Sequence, residues 1–242
     1  MLIKYRLIDL FPWHYCTLCG IPNTKLICTS CNNDLDTLPH PQCNICAKPL
    51  TTEALQCNFC RTHTIYFDKA YCRCIYTKPL STLIQAFKYT SRTEYSYALG
   101  YLLAQSLRQV IAAAISNPAN ANCATQSYTI IPMPLHPARQ KERGFNQAEY
   151  LLHYYRVHDN RILVDNKVIA RTKNTRQQAL MTAHERQNNL TNAFQVLKSV
   201  AGKNIILVDD VITTGSSANE VAKALKAHGA ASVIVCCLAR TI

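Results

Sequence analysis

Eight cysteines fall before residue 61 in four identical C-x-x-C pairs: Cys16/Cys19, Cys28/Cys31, Cys43/Cys46 and Cys57/Cys60. Such a pair presents two sulfurs to one metal ion from a tight turn, and two pairs complete a tetrahedron. A disulfide framework is the competing reading, and it belongs to oxidising compartments. The N-terminus MLIKYRLIDLFPWHYC has neither a continuous apolar h-region nor a small-residue cleavage site, so the expected compartment is the reducing cytosol. The pairs therefore read as two zinc sites. Pairing is open between a sequential scheme (Cys16, Cys19, Cys28, Cys31, then Cys43, Cys46, Cys57, Cys60) and an interleaved one. Short loops close at lower entropic cost, which favours the sequential scheme. In either scheme thiolates fill all four positions of each ion and leave none for a substrate water, so the zinc is structural. A segment of about 60 residues has a marginal core, and a structural zinc contributes on the order of 10 kcal/mol of folding free energy.

The chain of 242 residues is long enough for one large or two small domains. We expect a cysteine-rich double ribbon over residues 1–66, punctuated by Pro12, Pro22, Pro39, Pro41 and Pro49, and a second domain over 67–242. No run approaches the ~20 apolar residues of a membrane span. Lys and Arg outnumber Asp and Glu by 26 to 14, a formal net charge of +12. Two four-thiolate zinc sites of about −2 each bring that to about +8. The remaining excess points to phosphate-bearing partners: nucleic acid, an anionic small ligand or an acidic membrane surface.

Beyond the cysteine module, DKAYCRCIYT alternates as a strand with Cys72 and Cys74 on one face as small core residues. PLSTLIQAFKYT places Leu80, Leu83, Ile84 and Phe87 at helical spacing, and a second helix runs from about residue 94 to 115. SNPANANCATQS is a loop in which Cys123 is incidental. The rhythm then becomes strand, loop, helix. YTIIPMPL is a strand, HPARQKERG a basic loop and FNQAEYLLHYYRVH a helix. KVIAR, AFQV and NIILVDD are strands, with a long polar stretch over residues 172–192 before AFQV. SSANEVAKALKAHG is a helix stopping at Gly229, and ASVIVCCLAR is a last strand with Cys236 and Cys237 in the core. Strands alternating with helices imply an α/β fold, a parallel sheet covered on both faces.

In open α/β sheets ligands gather at the carboxyl ends of the strands. There the run IILV delivers Asp209 and Asp210, followed by Thr213, Thr214, Gly215, Ser216 and Ser217 before a helix. Adjacent carboxylates repel each other and need hydroxyl donors or a divalent cation. Small residues let backbone N–H groups close around a phosphate at a helix start. Helix capping alone needs one such residue rather than five. A second loop brings Arg139, Lys141 and Arg143 to a strand end, suited to a pyrophosphate. His136 is either a pyrophosphate contact or a plain loop residue. The polar stretch carries Lys173, Arg176 and Arg186 and reads as a loop closing over the ligand to complete the clamp.

The stretch IILVDDVITTGSS resembles the PRPP-binding motif of type I phosphoribosyltransferases. The resemblance implies that Asp209 and Asp210 contact the ribose hydroxyls, that residues 213–217 wrap the 5′-phosphate, and that Mg2+ accompanies PRPP. Thr213 stands where purine-salvage members carry an acid/base Asp, so PRPP binding is better supported than transfer to a purine. With the cysteine module and the blocks PMPLHPAR and RGFNQA, the whole chain resembles the ComF (ComFC/GntX-type) competence family. That resemblance implies a type I phosphoribosyltransferase-like parallel sheet flanked by helices, with an N-terminal zinc-ribbon module. It further implies a cytoplasmic protein, with peripheral attachment at the inner membrane left open. Its expected setting is the handling of single-stranded DNA during natural transformation, alongside a ComFA-type helicase and DprA. Two readings of function stand. One is a Mg2+-dependent phosphoribosyltransferase whose acceptor is unknown. The other is an adaptor whose ribbon aromatics, Trp13, Tyr15, Phe59, Tyr66 and Phe67, meet DNA or the helicase while PRPP regulates.

Overall fold

A computed structural model of the chain describes residues 14–90, 92–115, 127–155, 161–173 and 193–242. The cysteine segment opens with a short antiparallel pair, β1 (His14–Tyr15) and β2 (Pro22–Asn23), enclosing the Cys16–Cys19 turn. Two single-turn helices, α1 (Thr29–Asn33) and α2 (Asn58–Thr62), start directly after Cys28 and Cys57. Each cysteine set thus takes one pair from a turn and one from a helix start. The sulfurs of Cys16, Cys19, Cys28 and Cys31 lie within 4.8 Å of one another, and so do those of Cys43, Cys46, Cys57 and Cys60. The sequential pairing is the one that forms.

Five parallel strands make the main sheet among the described residues. In chain order β3 is Lys69–Ile75, followed by helices α3 (Leu80–Tyr89) and α4 (Tyr95–Ile115) and then β4 (Tyr128–Pro132). Helices α5 (Pro137–Arg143) and α6 (Gln147–Leu152) precede β5 (Ile162–Val164). Strands β6 (Ile169–Arg171) and β7 (Phe194–Val196) lead to β8 (Asn204–Ile212), α7 (Ser216–Ala227) and β9 (Ser232–Arg240). The strand order is β3-β9-β8-β4-β5. Alternation along β8 sends Ile206 and Val208 to a core shared with α3, α4 and α6, and Ile205 and Leu207 to a core shared with α7.

Several local expectations are corrected. HPARQKERG is a helix rather than a loop: Pro137 starts it, the His136 side chain caps it, and Gly144 at φ 82° ends it in a left-handed turn. The strand YTIIPMPL ends at Pro132, and of the helix expected over FNQAEYLLHYYRVH the described residues are regular only over Gln147–Leu152. KVIAR and AFQV do not join the parallel sheet; β6 and β7 pair antiparallel with each other. Strand β5 is a parallel edge strand the sequence pattern did not reveal. Cys123 lies outside the described residues.

The cysteine segment covers the free edge of β3. Ala70 N–H donates to Ile45 O at 2.6 Å and Ile75 N–H to Asp36 O at 2.9 Å, which occupies backbone groups that an open edge would expose. Cys16, Ile27 and Leu35 enter the α3/α4 core, while Cys43, Cys46, Cys57 and Cys60 enter the α7 core. Asn219 on α7 clamps the connecting segment: its Oδ1 accepts from Tyr66 N–H at 2.7 Å and its Nδ2 donates to Thr64 O at 3.1 Å. Two hydrogen bonds of this kind are worth about 2 kcal/mol. Calorimetry of the zinc-loaded Asn219→Ala chain should show a Tm lowered by roughly 4–8 °C. Asn219→Asp, which keeps the acceptor, should lose about half of that.

Candidate functional site

A cavity of about 470 Å3 opens at the carboxyl ends of β4 and β8. Strand β8 continues through Ile212, so Asp209 and Asp210 lie within it and alternation sends them to opposite sides. Asp210 is buried, and Lys88 from the last turn of α3 meets it, Nζ to Oδ2 at 2.7 Å. Burial alone disfavours the Lys88 ammonium, but Asp210 and then Asp209 outweigh it, and the net shift is upward. Among the described residues Asp209 has no such ion pair of its own. Burial first, and the neighbouring Asp210 charge second, push it up to about 7, with Lys88 only partly opposing. Its Oδ1 accepts the Asp210 N–H at 2.9 Å.

After β8 the chain turns at Gly215, where a φ of 82° suits glycine, and enters α7; Gly215 has no side chain to cap the helix, and the Ser216 N–H donates to the Thr214 hydroxyl at 3.3 Å. The Thr214 and Ser216 hydroxyls bond each other at 2.8 Å. Residues 213–218 with Asp209 line a smaller hollow of about 50 Å3, which shares Asp209, Val211, Thr213 and Ser217 with the wall of the cavity. A twelve-residue helix with glycine as its N-cap residue, whose first turn adjoins a hollow, presents N–H groups and the positive end of its dipole to an anion.

The facing wall is basic. Arg139 and Arg143, one turn apart on α5, both line the cavity. Lys141 between them is exposed and does not, because the segment is a helix. The His136 Nδ1 accepts from Ala138 N–H at 3.2 Å as the α5 cap, and His136 is not among the lining residues. Lys173 is exposed beyond β6, and Arg176 and Arg186 lie outside the described residues.

Sequence reasoning missed five polar lining residues: Lys88, Tyr89, Asn146, Gln147 and Arg171. Arg171 ends β6. Burial and then the nearby Arg139 lower its pKa, while Asp209 acts against them. Asn146 fixes the turn into α6, with Oδ1 accepting from Ala148 N–H and Nδ2 donating to Met133 O, both at 3.1 Å. Gln147 is 5% exposed, and its Nε2 finds no acceptor among the described residues. The cavity thus joins an acid pair, a loop-and-helix cradle and four basic side chains.

The two cysteine sets fit zinc on their own chemistry. Burial pushes Cys16 up, but N–H groups of Cys28, Cys19 and Leu18 at its sulfur outweigh that and bring it down to about 6. Cys43 falls to about 7 in the same way. Cys31 and Cys60 rise, by burial and then by their thiol neighbours, because four sulfurs this close cannot all ionise without a cation. Arg240, 4% exposed with Nε and Nη1 unpartnered among the described residues, opposes the rise of Cys46. A guanidinium there suits a four-thiolate zinc site carrying about −2.

A family model for a phosphoribosyl transferase domain matches residues 154–241, and one for a double zinc ribbon domain matches residues 7–61. DNA utilization protein YhgH of Escherichia coli O157:H7 is 34% identical over 233 residues, 94% of this chain and 97% of that one. Competence protein F of Haemophilus influenzae is 32% identical over 218 residues, 88% of this chain and 90% of that one. Competence protein ComFC of Bacillus subtilis is 25% identical over 220 residues, 88% and 82% of the two chains.

Two measurements follow from this chemistry. Metal analysis should return two zinc ions per chain, and one when Cys57 and Cys60 are both changed to Ser. Because the folded Asp209 pKa of about 7 exceeds the ordinary 3.8, the folded state holds its proton more tightly than the unfolded chain. Stability from this group is therefore present at low pH and lost as pH rises through 7. Urea denaturation should show Asp209→Asn gaining about 2 kcal/mol over wild type between about pH 5.5 and pH 8.

Proposed function

The chain belongs to the family of competence protein F and DNA utilization protein YhgH, and on that premise we propose that its cavity binds PRPP, a ribose bearing a 5′-phosphate and a 1-diphosphate. The observation that supports this most is the junction of β8 and α7, where two carboxylates and a helix start that turns on glycine share one cavity with Lys88, Arg139, Arg143 and Arg171. In this reading Asp209 and Asp210 accept hydrogen bonds from the ribose hydroxyls, and residues 213–217 cradle the 5′-phosphate. The arginines take the diphosphate by charge-assisted hydrogen bonds.

Mg2+ fits beside Asp209, a carboxylate whose pKa burial and the neighbouring Asp210 charge raise, and which has no ion pair among the described residues while Lys88 is engaged by Asp210. When bound, the metal would neutralise diphosphate oxygens that the arginines also face. In transfer chemistry these residues would hold the ribose still and stabilise the departing diphosphate, where electrostatic stabilisation is the main catalytic contribution. Thr213 cannot serve as the acid or base for an acceptor near neutral pH, so the reading stops short of naming an acceptor.

The setting we infer is the cytoplasmic handling of single-stranded DNA in transformation, with a ComFA-type helicase and DprA as partners. Eight reduced thiols are compatible with that compartment, and peripheral contact with the inner membrane is compatible with the basic charge. No helix among the described residues is long and apolar enough to cross a membrane. An adaptor reading, with PRPP as a regulatory ligand, draws on the ribbon surface. Phe59, 40% exposed, stacks on His63 at 4.3 Å, and Tyr15 is 73% exposed. Phe67, in contrast, is buried and unavailable for stacking.

PRPP with Mg2+ at about 100 times its dissociation constant should stabilise the chain by ~2.7 kcal/mol. Arg139→Ala and Arg171→Ala should each weaken that binding about tenfold or more. No thermal shift in wild type overturns the proposal. Diphosphate release on adding candidate acceptors separates enzyme from adaptor.

A further inference from the structure

We propose that Cys72 and Cys237 are a thiol pair that a peroxide closes to a disulfide, and that closing it loosens the turn over residues 213–217. Both are free thiols, and both lie outside the two zinc sets. They stand opposite each other in the register of β3 and β9, and Cys237 stands opposite Asp209 in the register of β9 and β8. Alternation therefore puts the two cysteines and Asp209 in one row across three strands, on the side of the sheet that α7 covers. Register neighbours on adjacent strands lie ~4.8 Å apart, inside the ~4.4–6.8 Å that a disulfide spans between Cα atoms. Among the described residues no other two cysteines outside the zinc sets are opposed in this way. Cys74 stands opposite Ala239, and Cys236 stands opposite Tyr71 and Val208.

The two thiols differ in access. Cys72 is half-buried, whereas Cys237 is buried and forms part of the wall of the hollow lined by residues 213–218. Hydrogen bonding with the Cys72 thiol first, and burial second, push the Cys237 thiol well above its ordinary range. Cys72 is thus the sulfur that an oxidant in solution meets, and Cys237 is the resolving partner. In the first step the Cys72 thiolate attacks one oxygen of hydrogen peroxide and the O–O bond breaks. The departing hydroxide takes up the thiol proton as water, and the sulfur is left as a sulfenic acid. In the second step the Cys237 sulfur attacks the sulfenic sulfur and the S–O bond breaks. The leaving hydroxide carries off the Cys237 proton as a second water. Two thiols are oxidised and one peroxide is reduced. In a reducing compartment such a bond is transient, which suits a sensor rather than a staple.

A disulfide brings its sulfurs to ~2.05 Å. The Cys237 sulfur then turns toward β3 and away from the hollow, whose wall it shares with Asp209, Gly215 and Ala218. The first turn of α7 loses that backing, and N–H groups that must be realigned when an anion arrives bind it less tightly. This consequence rests on the phosphate-cradle reading above. The formation of the disulfide does not.

Peptide mapping and calorimetric titration of the zinc-loaded full chain test the two halves separately. After an equimolar amount of hydrogen peroxide, a non-reduced digest should contain a peptide linked through Cys72 and Cys237 while both zinc ions stay bound. Dithiothreitol should remove the link. The linked chain should bind ribose 5-phosphate about fivefold or more weakly than the reduced chain, the low end of ordinary coupling between sites. Cys72→Ser should bind it as reduced wild type does, before and after peroxide, and Cys72→Ala should repeat that result. If no such link appears, or if peroxide weakens binding in Cys72→Ser as it does in wild type, the thiol pair is overturned. If the link forms and the affinity is unchanged, the loosening is overturned and the disulfide site stands. If the reduced chain does not bind ribose 5-phosphate at all, the phosphoribosyl reading falls and takes the loosening with it, while the peptide map still decides the disulfide.

Discussion

Asp210 sits on a strand hydrogen-bonded on both sides and is 4% exposed. A carboxylate there is tolerable only because Lys88 reaches it at 2.7 Å, since removing one partner of such a pair costs about 3–5 kcal/mol. That single ion pair fixes where α3 must end. Phe87 then packs on Phe145, which places the turn before α6, and Asn146 ties that turn to Met133 at the end of β4. The cavity is what these contacts leave open. Its electrostatics follow as well: burial first, and the neighbouring Asp210 charge second, hold the Asp209 proton up to about pH 7, with Lys88 only partly opposing from its pairing with Asp210.

A five-stranded parallel sheet leaves two edges, and the protein treats them differently. At β3 the cysteine segment supplies backbone partners from residues 36 and 45, and hydrophobic side chains from each ribbon enter the core on each face of the sheet. At β5 the edge is three residues long, with Leu163 and Val164 exposed. A short edge gives little template for pairing with another chain. The long edge needs covering, and a segment too small to build its own core borrows one by providing that cover.

Much of the site was legible where its information is local. The C-x-x-C spacings pair sequentially because each set closes through a short loop, and β8, its turn and α7 form one continuous stretch. Lys88 and Arg171 were not legible. Lys88 reads as the polar end of an amphipathic helix, and only tertiary packing brings it to a carboxylate more than a hundred residues later. Arg171 ends a short apolar run, and such runs do not encode their partner, which is also why β6 and β7 were mistaken for members of the main sheet. The α5 segment is different: Pro137 and Gly144 are helix start and stop signals present in the sequence, and the dense charge between them masks those signals. Reading it as a helix separates Lys141 from Arg139 and Arg143.

The second ribbon and the phosphate cradle share material. Cys43, Cys46, Cys57 and Cys60 belong to the same core as Ile212, Ala218 and Val221, the residues that flank and follow the 213–217 turn. Phe67 comes within 4.0 Å of the position a Cβ would take on Gly215, and Asn219 holds the first turns of α7 to residues 64 and 66. Zinc binding free energy at that site is folding free energy for the ribbon. Part of it therefore goes into holding the start of α7 in place. A helix N-terminus binds an anion well only if its N–H groups are already aligned, because alignment at the moment of binding subtracts from affinity. On this view the structural metal preorganises a ligand site whose chemistry it never touches.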